Sequence, residues 1–121
     1  MKRKLLFICT FNIARSRTAE DLFRNSKVYE TKSAGIIYHP EGGQVITQDL
    51  INWADVVVAM NETEESNGKP PCRHLSHLLE NFNLRNKEIA VLNIPNIYRR
   101  GDSALVQLII TELNNILSIQ V

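Results

Sequence analysis

Val56-Val57-Val58-Ala59-Met60 is an unbroken apolar run, rich in β-branched residues and closed by Asn61. A strand wetted on one face alternates polar and apolar side chains, so a strand without alternation has to be covered on both faces. Leu5-Leu6-Phe7-Ile8 and the segment Ile89 to Ile94 read the same way, and Val28 to Ala34 contains a further strand closed by Gly35. The segments between them carry helical spacing. Ala19, Leu22 and Phe23 fall on one side of a helix over Arg17 to Asn25, and Val45, Ile46, Leu50, Ile51 and Trp53 on one face of a second. A third suits His74 to Phe82. Asp102-Ser103 is a sound N-cap for a last helix with an apolar stripe of Leu105, Val106, Ile109, Leu113, Ile116 and Leu117. Four strands alternating with helices predict an α/β fold, a four-stranded parallel sheet with helices on both faces and ligands beyond the carboxyl ends of its strands. Asn61 to Lys69, followed by Pro70-Pro71, is expected to be a mobile surface loop.

At 121 residues the chain is expected to form a single domain, residues 1–121, with room for a full core. Its 44% hydrophobic and 22% charged residues are those of a soluble globular protein. A net charge of +1 points to neither nucleic acid nor a membrane surface, and Lys2-Arg3-Lys4 reads as a solvated strand flank. The apolar stretch behind it is shorter than the roughly seven residues of a secretory signal core. No run approaches the roughly 18 apolar residues of a membrane span. Two cysteines are too few for a disulfide framework, so a cytoplasmic location is the expectation. Nothing in the sequence sets an oligomeric state.

The chemistry concentrates where the first strand ends. Cys9-Thr10-Phe11-Asn12-Ile13-Ala14-Arg15, closed by Ser16, links that strand to the first helix. A loop entering a helix N-terminus turns backbone N–H groups toward one point, and the helix dipole adds roughly half a positive charge there. That is a seat for a phosphate-sized anion, and the residues Thr10, Phe11, Asn12, Ile13, Ala14, Arg15 and Ser16 are expected to line it. No proline interrupts the stretch, so each peptide keeps its N–H. The helix N-terminus and a nearby arginine both favour the thiolate form of Cys9, the form that attacks phosphorus. Arg15 offers paired planar donors matched to two phosphate oxygens. Asn12 tolerates a left-handed backbone and can bond locally to fix the loop. Ser16 is placed to cap the helix and to donate to the thiolate.

Cys9 to Glu20 resembles the active-site segment of the low-molecular-weight protein tyrosine phosphatases, C-x-x-N-x-x-R-S-P-T-A-E. Ser33-Ala34-Gly35, then Trp53-Ala54-Asp55 through Met60, then Ile94-Pro95-Asn96-Ile97-Tyr98 continue the resemblance in order, over most of the chain outside roughly 61–73. The shortness of the chain is similar to a compact bacterial branch of that family. The resemblance implies the same four-stranded fold. It makes Cys9 the nucleophile that becomes a phosphocysteine, Arg15 the phosphate clamp, Asn12 the loop organiser and Ser16 the thiolate partner.

The chain also departs from that pattern. The family's general acid is an aspartate, and the matching position here is Asn96. An amide can neither protonate a phenolate nor activate water as a base. Asp102, six residues on, is the possible substitute acid, against its reading as the helix N-cap. Tyr98 stands where the family places an aromatic beside the substrate ring, against a loop tyrosine packing on the core. Phe11 replaces a glycine and either narrows the mouth or adds a stacking surface. Ala14 replaces a second cysteine, which removes a protective disulfide, and Arg17 replaces a proline.

Arsenate reductases share the fold and the Cys-x5-Arg loop but resolve their intermediate with two further cysteines. This chain has only Cys72 besides Cys9. His74, His77 and Cys72 are too few and too loosely spaced for zinc, and His39 is a loop residue without an assigned role. The reading is therefore a cysteine-dependent phosphomonoester hydrolase, weakened at Asn96, that needs no metal or cofactor because Arg15 and the backbone supply the positive charge. Its substrate would be a phosphorylated protein or a small aryl phosphate. The alternatives are a phosphate- or phosphotyrosine-binding pseudophosphatase and, behind it, a thiol-dependent arsenate reductase.

Overall fold

The computed structural model describes residues 2–61, 64–66, 69–72, 74–95 and 97–121, with side chains described outside 62–76. Four parallel strands form the main sheet: β1 (Arg3–Cys9), β2 (Tyr29–Gly35), β3 (Val56–Ala59) and, in chain order the sixth strand, β6 (Glu88–Val91). They lie in the order β2-β1-β3-β6. The chain builds outward from β1 on one side and then returns to its other side, so the order reverses between β1 and β3. Ligand crevices of open parallel sheets form at such a reversal, beyond the carboxyl ends of the strands. Cys9, the last residue of β1, is at that end.

The unbroken apolar runs serve two cores at once. Leu5, Phe7, Cys9, Val56 and Val58 face one side, where α1 (Arg15–Leu22) and α4 (Ser103–Leu117) cover them with Ala19, Leu105, Ile109 and Leu113. Leu6, Ile8 and Val57 face the other side, against Ile51 of α2 (Gln48–Trp53) and Leu78 of α3 (His74–Asn81). The expected α/β architecture with helices on both faces is thus observed. Asp102 accepts a hydrogen bond from the Ala104 N–H at 2.8 Å and caps α4.

Several boundaries differ from the sequence reading. Helix α1 starts two residues earlier than its apolar spacing suggests and ends at Leu22, because its first turn faces the anion loop instead of the core. Ser16 lies inside that helix and is not its cap: the N-cap residue is Ala14, without a side-chain bond. Helix α2 omits Val45 and Ile46; Val45 bridges to Gly35, and Thr47 starts the helix by accepting from the Leu50 N–H at 3.2 Å. Strand β6 ends at Val91 instead of Ile94, since Asn93 takes a left-handed φ of 57°. The expected loop after Asn61 contains two short antiparallel strands, β4 (Glu64–Ser66) and β5 (Lys69–Cys72), while 62–63 and 67–68 fall outside the described residues. Each strand of a two-stranded ribbon is an edge, which is where proline is tolerated in a strand. Among the described residues no helix is long and apolar enough to cross a membrane.

Helix α4 seals one core through residues spaced by four, so its central contact is the sensitive one. Ile109, fully buried, is expected to cost about 2–5 kcal/mol when changed to alanine. Urea unfolding with an unchanged denaturant slope would check this.

Candidate active site

Residues 10–14 leave β1 and enter α1 as an irregular loop. Its carbonyls are bonded on the outside. The Cys9 carbonyl accepts from Ile36 N–H at 3.1 Å, the Thr10 carbonyl from Ile36 and Ile37 N–H at 2.9 Å each, and the Asn12 carbonyl from Gly43 N–H at 3.0 Å. In a trans peptide the C=O and the following N–H point opposite ways. Carbonyls drawn outward therefore turn the Phe11 and Ile13 N–H groups inward, toward the cleft those residues line. The arrangement is an anion-binding nest at a helix N-terminus.

That cleft, of about 170 Å³, is lined by Cys9, Thr10, Phe11, Ile13, Ala14, Arg15 and Tyr98. It is smaller than the ~300 Å³ lower bound of typical ligand pockets, a size suited to a small anion. Cys9, a free thiol, is 3% exposed at its floor. Arg15 is 1% exposed; its Nη1 donates to the Ile94 carbonyl at 2.9 Å and its Nη2 reaches Thr10 Oγ1 at 3.5 Å. The guanidinium thus lies between the loop and the chain leaving β6.

Behind the sulfur runs a buried polar chain. Cys9 Sγ and Ser16 Oγ are 2.9 Å apart. Asn12 Nδ2 donates to Ser16 Oγ at 2.7 Å and to Ser33 Oγ at 2.9 Å. Ser33 Oγ donates to Glu20 Oε1 at 2.5 Å. Ser33 gives its proton to Glu20 and therefore accepts from Asn12, whose second amide proton goes to Ser16. Between Ser16 Oγ and Cys9 Sγ either atom can donate, and a sulfur acting as acceptor would take the Ser16 proton. Asn12 has a left-handed φ of 55° as well as its local bonds, so both expectations for it hold.

Of the loop residues expected to line the seat, Thr10, Phe11, Ile13, Ala14 and Arg15 line the cleft together with Tyr98, which is half-buried and also packs against the core, whereas Asn12 and Ser16 are absent from the lining and stand in the polar chain behind the sulfur. Phe11 lies on the opposite support, its ring 5.1 Å from that of His39. His39, without a role in the sequence reading, thus fixes a cleft wall; its Nδ1 accepts from the Glu41 N–H at 3.0 Å. Asp102 is exposed, bonded to its helix and absent from the cleft lining. Asn96 lies outside the described residues, as do the side chains of Cys72 and His74. Among the described residues no cluster of three metal-ligating side chains occurs.

Sequence reasoning gave no role to Glu20, Ser33, Gly43 or Gln44. Glu20 stands four residues after Ser16 on α1, one helical turn along the same face, which is the signal that could have found it. Ser33 and the strap residues meet the loop only through the fold.

Residues 4–49 match the family model described as low molecular weight phosphotyrosine protein phosphatase. No curated protein sequence matches the chain. Among solved structures it is similar to Wzb of Vibrio vulnificus in complex with benzylphosphonate, 20% identical with a TM-score of 0.68, over 95% of this chain and 97% of that one. The low molecular weight protein tyrosine phosphatase SP-PTP of Streptococcus pyogenes is 18% identical with a TM-score of 0.65, over 93% and 89%. A thioredoxin-dependent arsenate reductase of Corynebacterium glutamicum, 19% identical with a TM-score of 0.54, matches over 89% of this chain but 56% of its own. At these identities the likeness to solved structures is one of fold. The chain carries the sequence signature of low molecular weight phosphotyrosine protein phosphatases over residues 4–49 and their fold over most of its length.

Proposed function

We propose that the chain, acting as one domain in the cytoplasm, is a cysteine-dependent phosphomonoester hydrolase of the protein tyrosine phosphatase type. The observation that carries this reading is the buried Cys9 sulfur, 2.9 Å from the Ser16 hydroxyl, in a cleft shared with the Arg15 guanidinium and the inward N–H groups. The Cys9 thiolate attacks phosphorus in line, forming an S–P bond as the ester P–O bond breaks. Arg15 and the loop N–H groups hold the equatorial oxygens, where charge is spread in the transition state. Water then cleaves the phosphocysteine and releases inorganic phosphate. Phe11 and Tyr98 line the cleft above the sulfur and present apolar walls to an aromatic ring. The substrate class is accordingly an aryl phosphate, phosphotyrosine on a protein or a small analogue.

The departing phenolate needs a proton, and Asn96 cannot give one. General acid–base help is worth about 10²–10⁴ in rate, so turnover should depend steeply on how stable the leaving group is. A second reading, a phosphate-binding pseudophosphatase, rests on the same residue: the cradle is complete and the family's acid is missing.

Hydrolysis of p-nitrophenyl phosphate should be measurable and abolished in Cys9→Ser, which keeps inorganic phosphate binding; phosphotyrosine should react much more slowly. Turnover in Cys9→Ser close to wild type would exclude the covalent route, and phosphate binding without any turnover would favour the pseudophosphatase. Asn96→Asp is expected to raise phosphotyrosine turnover, by up to about 10²-fold. Asp102→Ala should lower stability by about 0.5–2 kcal/mol through its lost cap; a parallel collapse of turnover in the folded variant would instead assign Asp102 as the acid. Phe11→Gly is expected to raise KM for aryl phosphates with little change for alkyl phosphates, a split that loss of folding would not produce.

A further inference from the structure

The segment between β2 and α2 crosses the outer side of the anion loop as a strap. Its far end is anchored to β2, where the Gly35 N–H donates to the Gln44 carbonyl at 2.7 Å and the Ile46 N–H to the Gly35 carbonyl at 2.8 Å. Its middle meets the loop at Asn12. The Gly43 N–H donates to the Asn12 carbonyl at 3.0 Å, and the Gln44 N–H to Asn12 Oδ1, also at 3.0 Å. A side chain on Gly43 has no room: a Cβ there would lie 2.1 Å from Asn12 Oδ1 and 3.2 Å from its Cγ. Among the described residues Gly101 is the glycine that takes a left-handed φ and Gly43 does not, so backbone freedom does not explain glycine at 43. Volume does.

The Asn12 amide cannot simply swing aside. It is 2% exposed, its oxygen is held by Gln44 and its nitrogen by Ser16 and Ser33. Displacing the oxygen turns the nitrogen away from Ser16, and the Ser16 hydroxyl then loses the donor that holds it beside Cys9. We infer that Gly43 is a positioning residue of the active site: its bare backbone seats the Asn12 amide, which in turn aims the Ser16 hydroxyl at the Cys9 sulfur. The inference rests on the phosphatase reading for its meaning in turnover, but the state of the sulfur is measurable without it. Gly42 provides a contrast. A Cβ there would lie 2.2 Å from the Phe11 backbone oxygen, an obstruction that no side-chain deletion relieves.

The test is a double-mutant cycle on the full chain with Gly43→Ala, Asn12→Ala and both together, and with Gly42→Ala/Asn12→Ala as the control. Two readouts are followed: alkylation of Cys9 by iodoacetamide at one fixed pH, and hydrolysis of p-nitrophenyl phosphate. Gly43→Ala and Asn12→Ala should each slow both, by up to about 10²-fold as expected for a slight misplacement of reacting groups. The double variant should be no slower than Asn12→Ala alone, because residues acting through one contact are not additive. In the control pair, Gly42→Ala should keep its full extra cost. A Gly43→Ala protein that alkylates and turns over like wild type overturns the inference, and so do losses that multiply in the double variant. If Gly43→Ala fails to fold and the double variant folds, the clash with Asn12 is established; if neither folds, the obstruction lies in the backbone and the assignment is wrong. Absence of hydrolysis in the wild type would refute the phosphatase reading while the alkylation cycle still judges Gly43.

Discussion

A loop that aims several N–H groups at one point must find partners for the carbonyls it turns the other way. Left buried and unbonded, each would cost about 1–3 kcal/mol, and the loop would relax. In this chain the strap between β2 and α2 accepts that burden, taking the carbonyls of Cys9, Thr10 and Asn12 with its own N–H groups. The rest of the site depends on this. The inward N–H groups, the depth of Cys9 and the entry of α1 are all set by a stretch of backbone on the outer side of the loop. It also explains why the parallel pair β1–β2, in register from Arg3 opposite Tyr29 to Cys9 opposite Gly35, matters to chemistry: it delivers the strap to the loop.

A second layer fixes protons where the first fixes peptides. Glu20, Ser33, Asn12, Ser16 and Cys9 form one line of hydrogen bonds from α1 through β2 to the Cys9 sulfur. Asn12 donates to both serines and Ser33 passes its own proton to Glu20, so the middle of the line has a defined direction. Buried polar chains of this kind specify geometry when complete and are costly when broken. The opposite wall is held separately. Arg100 makes two 3.0 Å bonds to Asp21, the Gly101 N–H donates to Thr18 Oγ1 at 3.0 Å, and Arg15 bonds the Ile94 carbonyl. The segment carrying Tyr98 is thereby tied to α1 at both ends, and α1 begins at the anion loop.

What the sequence revealed follows from how local each signal is. The continuous apolar run Val56 to Met60 dictated a strand buried on both faces, and the rest of the architecture followed. Cys9, Asn12, Arg15 and Ser16 were legible because their spacing lies within one loop. Edges were less so. The apolar spacing of α1 starts at Ala19, but its first turn buries Arg15 and Ser16 against the Cys9 loop, and so the helix begins at Arg15 without an apolar mark. Val45 and Ile46 look helical beside Leu50 and Ile51, yet they finish the strap, and Thr47 is the real start of α2. Gly43, Gln44 and Ser33 were not readable at all. Their partners stand some twenty to thirty residues away in the chain, as in the pair Asn12–Gln44, and only the parallel pairing of β1 with β2 brings them together.

In the proposed phosphatase, a complete cradle beside an amide at the acid position would be physically coherent, because the two would supply different parts of the reaction. Cradle and nucleophile act on phosphorus and its equatorial oxygens, whatever group is leaving. The acid acts only on the leaving oxygen, and its worth grows with the basicity of that oxygen. A site that kept the first and lacked the second would be selective in a particular sense: it would spare esters of basic alcohols and open those whose leaving group is stable unprotonated, while binding the phosphoryl group of both. Between a weak phosphatase and a phosphate reader the difference is then one proton at the leaving oxygen, and everything from the strap to the Glu20 carboxylate serves either role equally.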